Sequence, residues 1–244
     1  MKISILQWNI WFKEDIEDIA KFLVDIKPDI VCLQELTVDY SEQSHLNTPK
    51  YVAGRLGYEY FAKEIELHGD GNLANGIFSR FPITKKYSAH INEPAEGGSG
   101  GFDDEYREYV EVAIDLGDSS LSVGTTHMSY TDRFESTKRK EQEADRLIEQ
   151  IEQHKENYIF TGDLNALPGS YTINKIEEKL KNAGPPFEHN TWATKPFSYR
   201  GFVEKDLNWR LDYVFRTPDV KIISSEILHT EYSDHLPVLV NIEV

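Results

Sequence analysis

The chain holds a single cysteine, Cys32, so neither an intramolecular disulfide nor a thiolate metal site can form within it. Cys32 stands between Val31 and Leu33 in an apolar run, the setting of a small core residue and not of a reactive thiol. No apolar stretch approaches the ~20 residues a membrane span requires. The opening MKISILQWNIWFKEDIED lacks the pattern of a signal peptide, so a soluble cytoplasmic protein is expected. Basic residues are scarce: 26 Lys and Arg stand against 42 Asp and Glu, a formal net charge of −16. A surface of that sign repels a long phosphate polyanion, because nucleic-acid affinity rests largely on Lys and Arg neutralising phosphates. That disfavours a processive or chromatin-bound nuclease, but leaves room for a locally positive cleft or a bound divalent cation. Repeats, low-complexity tracts and linkers are missing too, and residues 1–244 are expected to form one domain.

What is present suffices for a large core: 39% of residues are hydrophobic and 12% aromatic. Lys2 to Trp8 alternates like a strand, and Ile16, Ile19, Ala20 and Leu23 then fall on one face of a helix that Pro28 stops. Asp29 to Leu33 follows as a buried strand ending at Gln34-Glu35. This strand–helix–strand opening predicts an α/β layer. Strand-like runs recur at 58–62, 76–79, 85–91, 106–115 and 121–126, and the glycine-rich, acidic segment Asn92–Glu105 reads as a mobile surface loop. A helix is predicted near 133–154, with Ala144, Leu147, Ile148 and Ile151 on one face. Another is predicted from the N-cap Ser170, with Ile173, Ile176 and Leu180 inward. The last third returns to strands at 211–215, 220–228 and 238–244. Helices can then cover the outer faces while two sheets pack inward.

Polar residues collect where these runs give way to loops, the places where α/β folds gather their sites. Trp8-Asn9 closes the first run, and Asn9 offers both a donor and an acceptor. Glu35 stands at the mouth of a buried strand, where its charge needs either a salt bridge or a hard cation such as Mg²⁺. His127 follows the run at 121–126 and suits phosphate contact or general acid chemistry, though a structural histidine fits equally well. Gly162-Asp163-Leu164-Asn165 is the sharpest signal: the glycine permits a tight path, Asp163 can orient and deprotonate a water, and Asn165 can donate to a phosphate oxygen. Asp212 lies among core-facing residues of RLDYVF, and SDHLPV sets Asp234 beside His235. Neighbours on an extended chain point opposite ways, so His235 is free to pair with Asp212 while Asp234 serves another partner. Singly, most of these signals favour an ordinary turn or ion pair; their ordered succession does not.

The succession QWN, LQE, THMS, GDLN, RLDYVF and SDHLPV resembles the endonuclease/exonuclease/phosphatase (deoxyribonuclease I-like) superfamily, across nearly the whole chain. The resemblance implies a four-layer α/β (α+β) sandwich, with two packed mixed β-sheets flanked by helices. It implies a phosphodiesterase- or nuclease-type phosphoester hydrolase using Mg²⁺, with Mn²⁺ as the alternative. Glu35, Asp234 and Asn9 would lie at the metal, and Asp163 would activate the attacking water. Asn165 would hold the scissile phosphate, His235 oriented by Asp212 would stabilise the developing charge, and His127 would contact phosphate or the leaving group. Trp11 stands where some members place a further metal-site acid, which leans towards one metal. Thr191-Trp192 resembles a stretch that tyrosyl-DNA phosphodiesterases set beside substrate, making Trp192, Trp11 and Trp209 candidate stacking surfaces. The expected partner is a short, single-stranded or modified nucleic acid. A small phosphodiester or phospholipid headgroup is the alternative within enzymes, and a non-catalytic binding module the alternative outside them. No obligate protein partner is evident.

Overall fold

The computed structural model of the protein describes residues 1–66, 70–94 and 105–244. Its first strand, β1 (Lys2–Asn9), sorts its side chains by alternation. Ile3 and Ile5 turn into a core shared by the two sheets, while Leu6 and Trp8 turn outward beneath helices. The helix α1 (Ile16–Ile26) buries Ile16, Ile19, Ala20 and Leu23 on that outer face. Asp15 caps its start by accepting the Glu17 amide, and it ends two residues before Pro28 with the C-cap Lys27 in the left-handed region. It leads into β2 (Ile30–Val38), which lies parallel to β1.

The first sheet orders its strands as β13 (Lys221–Ile227), β14 (Val238–Glu243), β1, β2, β4 (Asn72–Ser79) and β3 (Glu59–Glu66). The second runs β5 (Ile83–Asn92), β6 (Arg107–Asp115), β7 (Ser120–His127), β8 (Tyr158–Asp163), β12 (Asp212–Arg216) and β9 (Lys181–Asn182). Ile5, Ile30, Ile77 and Val240 meet Val112, Val123, Ile159 and Val214 between the sheets, where Cys32 is buried. Helices α1 and α2 (Thr48–Leu56) cover the first sheet, and α3 (Lys138–Ile151) and α4 (Tyr171–Glu177) cover the second. The expected α/β sandwich of two packed mixed sheets with helices outside is the fold observed. No helix among the described residues is long and apolar enough to cross a membrane.

Strand direction positions the site. Each sheet carries one parallel pair joined through a helix, β1–β2 and β7–β8, so these four strands deliver Asn9, Glu35, His127 and Asp163 at or near their C-terminal ends. The neighbours β14 and β12 run antiparallel and deliver His235 and Asp212 where they begin. All six positions therefore share one edge of the sandwich.

The structure also departs from the sequence expectations. The strand expected to stop at Gln34-Glu35 continues to Val38, with a register shift against β4 between Leu33 and Leu36. α3 begins at Lys138, capped by Thr137, and not near residue 133, because Arg133 takes a left-handed conformation that no continuous helix admits. The helix α2 and the small hairpin of β10 (Phe197–Tyr199) and β11 (Phe202–Glu204) were not expected at all. The segment expected to be a mobile loop lies largely outside the described residues.

Candidate active site

At the common edge a cavity of about 110 Å³ opens, lined by Glu35, His127, Asp163, Asn165, Asp234 and His235 among others. Asn9 is fully enclosed and joins the sheets: its Nδ2 donates to Glu35 Oε1 at 2.9 Å and to Asp163 Oδ2 at 2.9 Å. Its Oδ1 accepts the Trp11 amide at 3.0 Å. Asn9, expected at the metal, here turns its side-chain nitrogen to the two acids and holds them together. Glu35 sits in the register shift of β2 with φ of 60°, and its Oε2 accepts the Phe12 amide at 3.2 Å. Burial first, and then the charge of Asp234, push its carboxyl up to about 7, against the opposing hydrogen bonds from Asn9 and Phe12.

Asp163 ends β8 in register with His127 on β7. Gly162 is required beside it, because a Cβ there would meet the Thr126 carbonyl oxygen at 2.5 Å. The Asp163 carboxylate accepts the Asn165 amide at 3.0 Å, and its carboxyl is pushed up to about 6, chiefly by burial. The nearby His235 opposes that rise, and Asp212 adds to it. Asn165, left-handed at φ of 44°, donates from Nδ2 to the Met128 carbonyl at 3.0 Å and to His127 Nε2 at 3.1 Å. His127 can accept there because it is neutral: burial first, and then the charges of Arg107, His235 and Lys140, hold its pKa well below the usual value.

His235 behaves in the opposite way. Burial disfavours its charged form, but the carboxylates of Asp212, Asp163 and Asp234 outweigh that and raise its pKa well above the usual range. Its Nδ1 donates to Asp212 Oδ2 at 2.8 Å, which directs Nε2 towards Asp163 Oδ2, 3.6 Å away. Thr191 Oγ1 accepts the Asp212 amide at 3.2 Å, and the Trp8 indole donates to the His235 carbonyl at 2.9 Å. Asp234 turns away from this pair, and its Oδ2 accepts the Trp192 indole at 2.9 Å.

The tryptophans separate. Trp11 is half-buried on the cavity wall, and Trp192 is buried against Phe134 and Phe197 with an edge on the cavity. Trp209 is not among the residues lining it; its ring packs on Phe134 and Phe202 and its Nε1 donates to Glu204 Oε2 at 2.5 Å. Sequence reasoning also missed residues behind and beside the site. Gln7 and Gln34, one bonded to the other, pass from β1 and β2 to Thr125 and approach Asp212. Lys140, buried on α3, donates to the Ser129 and Leu164 carbonyls and so ties together the loops bearing His127 and Asn165. Burial lowers its pKa to about 8, against the opposing pull of Glu143. The only sequence signal for Lys140 was its place on the first turn of an amphipathic helix, where a lysine is ordinarily solvated.

Residues 6–235 match the model of the endonuclease/exonuclease/phosphatase family. The chain belongs to that family. It is accordingly a hydrolase of phosphoester bonds. No curated protein matches it. Among solved structures, an endonuclease/exonuclease/phosphatase from Beutenbergia cavernae DSM 12333 is 20% identical, with a TM-score of 0.79 over 100% of this chain and 72% of that one. Humanized D. rerio TDP2 is 17% identical, with a TM-score of 0.71 over 100% of this chain and 99% of that one. A mannosyl-6-phosphatase of Bacteroides thetaiotaomicron is 18% identical, with a TM-score of 0.70 over 99% of this chain and 100% of that one. These likenesses bear on the fold of this family member; the acids and imidazoles described above bear on its chemistry.

Proposed function

We propose that this family member is a Mg²⁺-dependent phosphodiesterase that cleaves by in-line attack of water, with Mn²⁺ able to replace Mg²⁺. The observation that carries the proposal is the Asn9 amide, which holds one acid from each sheet, Glu35 and Asp163, at 2.9 Å on a single nitrogen. Glu35 and Asp234 place two carboxylates on one buried wall, and their mutual repulsion fits a hard cation on oxygen donors. Asp163, Asp212 and His235 also bring donor atoms within 4.8 Å of one another. His235, however, commits Nδ1 to Asp212 and favours the protonated form, and an imidazolium ligates nothing. Glu35 and Asp234 are therefore the residues assigned to the cation, which when bound would neutralise phosphate charge and polarise the ester.

The protein's own groups divide the remaining work. Asp163 orients the attacking water and takes its proton, a role its raised carboxyl suits. His235, kept cationic by Asp212, stabilises charge gathering on the phosphoryl oxygens. Asn165 spends both Nδ2 hydrogens inside the protein, so binding requires it to exchange the 3.1 Å bond to His127 for one to a phosphate oxygen. That exchange frees His127 Nε2 beside the substrate, where it must take up a proton before it can give one to the leaving group. Substrates in keeping with the −16 charge are short or single-stranded nucleic acids and small phosphodiesters.

The deciding assay follows bis-p-nitrophenyl phosphate, p-nitrophenyl phosphate, a short single-stranded DNA and sphingomyelin with Mg²⁺ and with EDTA. Diester hydrolysis should stop with EDTA and return with added Mg²⁺. Hydrolysis indifferent to EDTA would refute the metal assignment, and failure to cleave any diester would refute the activity.

A further inference from the structure

Two short segments hold the acids assigned to the cation. The turn at 11–14, closed by the Glu14 amide on the Trp11 carbonyl at 2.9 Å, gives the Phe12 amide to Glu35 Oε2 at 3.2 Å. The segment 192–195 gives the Trp192 indole to Asp234 Oδ2 at 2.9 Å and the Thr194 amide to the Asp234 carbonyl at 2.9 Å. Each segment is thus fixed at the acid it serves. The two also meet each other, since Lys195 Nζ donates to Glu14 Oε1 at 2.5 Å. The residues lie 181 positions apart, and their side chains keep only 29% and 20% of their surface exposed. The same ammonium lies 5.8 Å from the centre of the Trp11 ring. Gln43 braces the turn, its Nε2 donating to the Phe12 carbonyl at 2.7 Å and to the Glu14 carbonyl at 2.8 Å.

On an open surface such an ion pair contributes little, because water screens the charges and two long side chains lose their freedom. This pair is partly shielded, and it joins the two segments that carry the donors to Glu35 and Asp234. Its consequence is therefore geometric. Mg²⁺ demands nearly ideal octahedral geometry, with oxygens at about 2.0–2.1 Å. A drift of either segment moves its N–H group, and the carboxylate bonded to that group moves with it. Groups bonded to a ligand are what orient the ligand, so a contact that fixes those groups acts on the cation through them. We propose that Glu14 and Lys195 are positioning residues, whose ion pair clasps the two segments together and sets the separation of the Glu35 and Asp234 carboxylates at the cation. This rests on the assignment of Glu35 and Asp234 to the cation made above.

Charge alone makes a different prediction. Side chains acting only through their fields would make Glu14→Met weaken cation binding and Lys195→Met strengthen it, with the double variant near wild type. A clasp is broken by either change, so both single variants should weaken binding. The double variant should lose no more than either single one, because the same contact is lost only once. Calorimetric titration of the EDTA-treated, dialysed protein with Mn²⁺ reads these affinities without turnover. Each variant should raise the Kd by roughly threefold to tenfold, less than the 10–100-fold typical where a group bonded directly to a ligand is removed. Lys13→Met is the control: its ammonium also lies 5.8 Å from the Trp11 ring but takes no part in the pair, and its loss should not weaken binding. In hydrolysis of bis-p-nitrophenyl phosphate, the Mg²⁺ concentration for half-maximal rate should rise in both single variants, with kcat at saturating Mg²⁺ near wild type. Mn²⁺ bound by Lys195→Met as tightly as by the wild type, or a double variant restored to wild-type affinity, overturns the clasp and leaves the cation assignment standing. Mn²⁺ bound by Glu35→Gln as tightly as by the wild type overturns that assignment, and the clasp with it.

Discussion

The two sheets end at the same edge but arm it differently. The first supplies Asn9 and Glu35 and, just before β14, Asp234 and His235; the second supplies His127, Asp163, Asn165 and Asp212. From the first sheet come the acids we assign to a cation and the imidazole we assign to phosphate charge, and from the second the groups we assign to the attacking water, the phosphate and the leaving group. At the site itself side chains cross between them: Asn9 reaches Asp163, and His235 reaches Asp212. The crossing bonds fix the distance between the two scaffolds.

The largest effect should follow from striking one side at a time. Asp163→Asn should lower kcat by on the order of 10²–10³ at every Mg²⁺ concentration, with melting nearly unchanged. Glu35→Gln should instead raise the Mg²⁺ concentration needed for half-maximal rate. A Mg²⁺-rescued Asp163→Asn would erase the proposed distinction between the sheets. A smaller loss, roughly 10–100-fold, is expected for Asp212→Asn, because it removes the anion that orients and charges the imidazole. His235 would then lose its proton more readily, so the alkaline limb of the pH–rate profile should move to lower pH, as full kinetic profiles would show. The acid limb should lie near the Asp163 value of about 6, activity falling as pH drops through it.

Below the site, Lys140 gives a test on stability. Its pKa falls on folding from 10.5 to about 8, so the unfolded chain binds the extra proton between those values and stability gains as pH rises through that window. The gain is on the order of 3 kcal/mol at full relief. Urea unfolding at several pH values should show that slope in the wild type, and Lys140→Met should lose it. The smallest effect is reserved for Trp209→Phe, which gives up the bond to Glu204 at a cost of about 1 kcal/mol. It should leave kcat and KM unchanged; a raised KM would return Trp209 to the substrate side.

Much of this was legible in the sequence, because alternation and helical stripes are local signals. Ile16, Ile19 and Leu23 defined α1, and Ser170 marked the start of α4, as its side chain accepts the Ile173 amide. Side chains at strand ends also told which residues would meet, since direction and register follow from the strand order. What stayed hidden depends on long-range partners. α2 buries Val52 and Ala53 on a short helix that carries Pro49 and Gly54, too little for a periodic signal. Whether Asn9 presents its nitrogen or its oxygen depends on acids 26 and 154 residues away. Lys140 looks like a solvated lysine until carbonyls 11 and 24 residues away close over it.

The irregular stretch of β2 between Leu33 and Leu36 makes Glu35 a product of imperfect pairing. Trimming one residue there would let β2 and β4 pair in a continuous ladder, with Leu33 and Leu36 keeping the outer face they already share. Such a shortened protein would gain hydrogen bonds along its backbone and displace the carboxylate we assign to the cation.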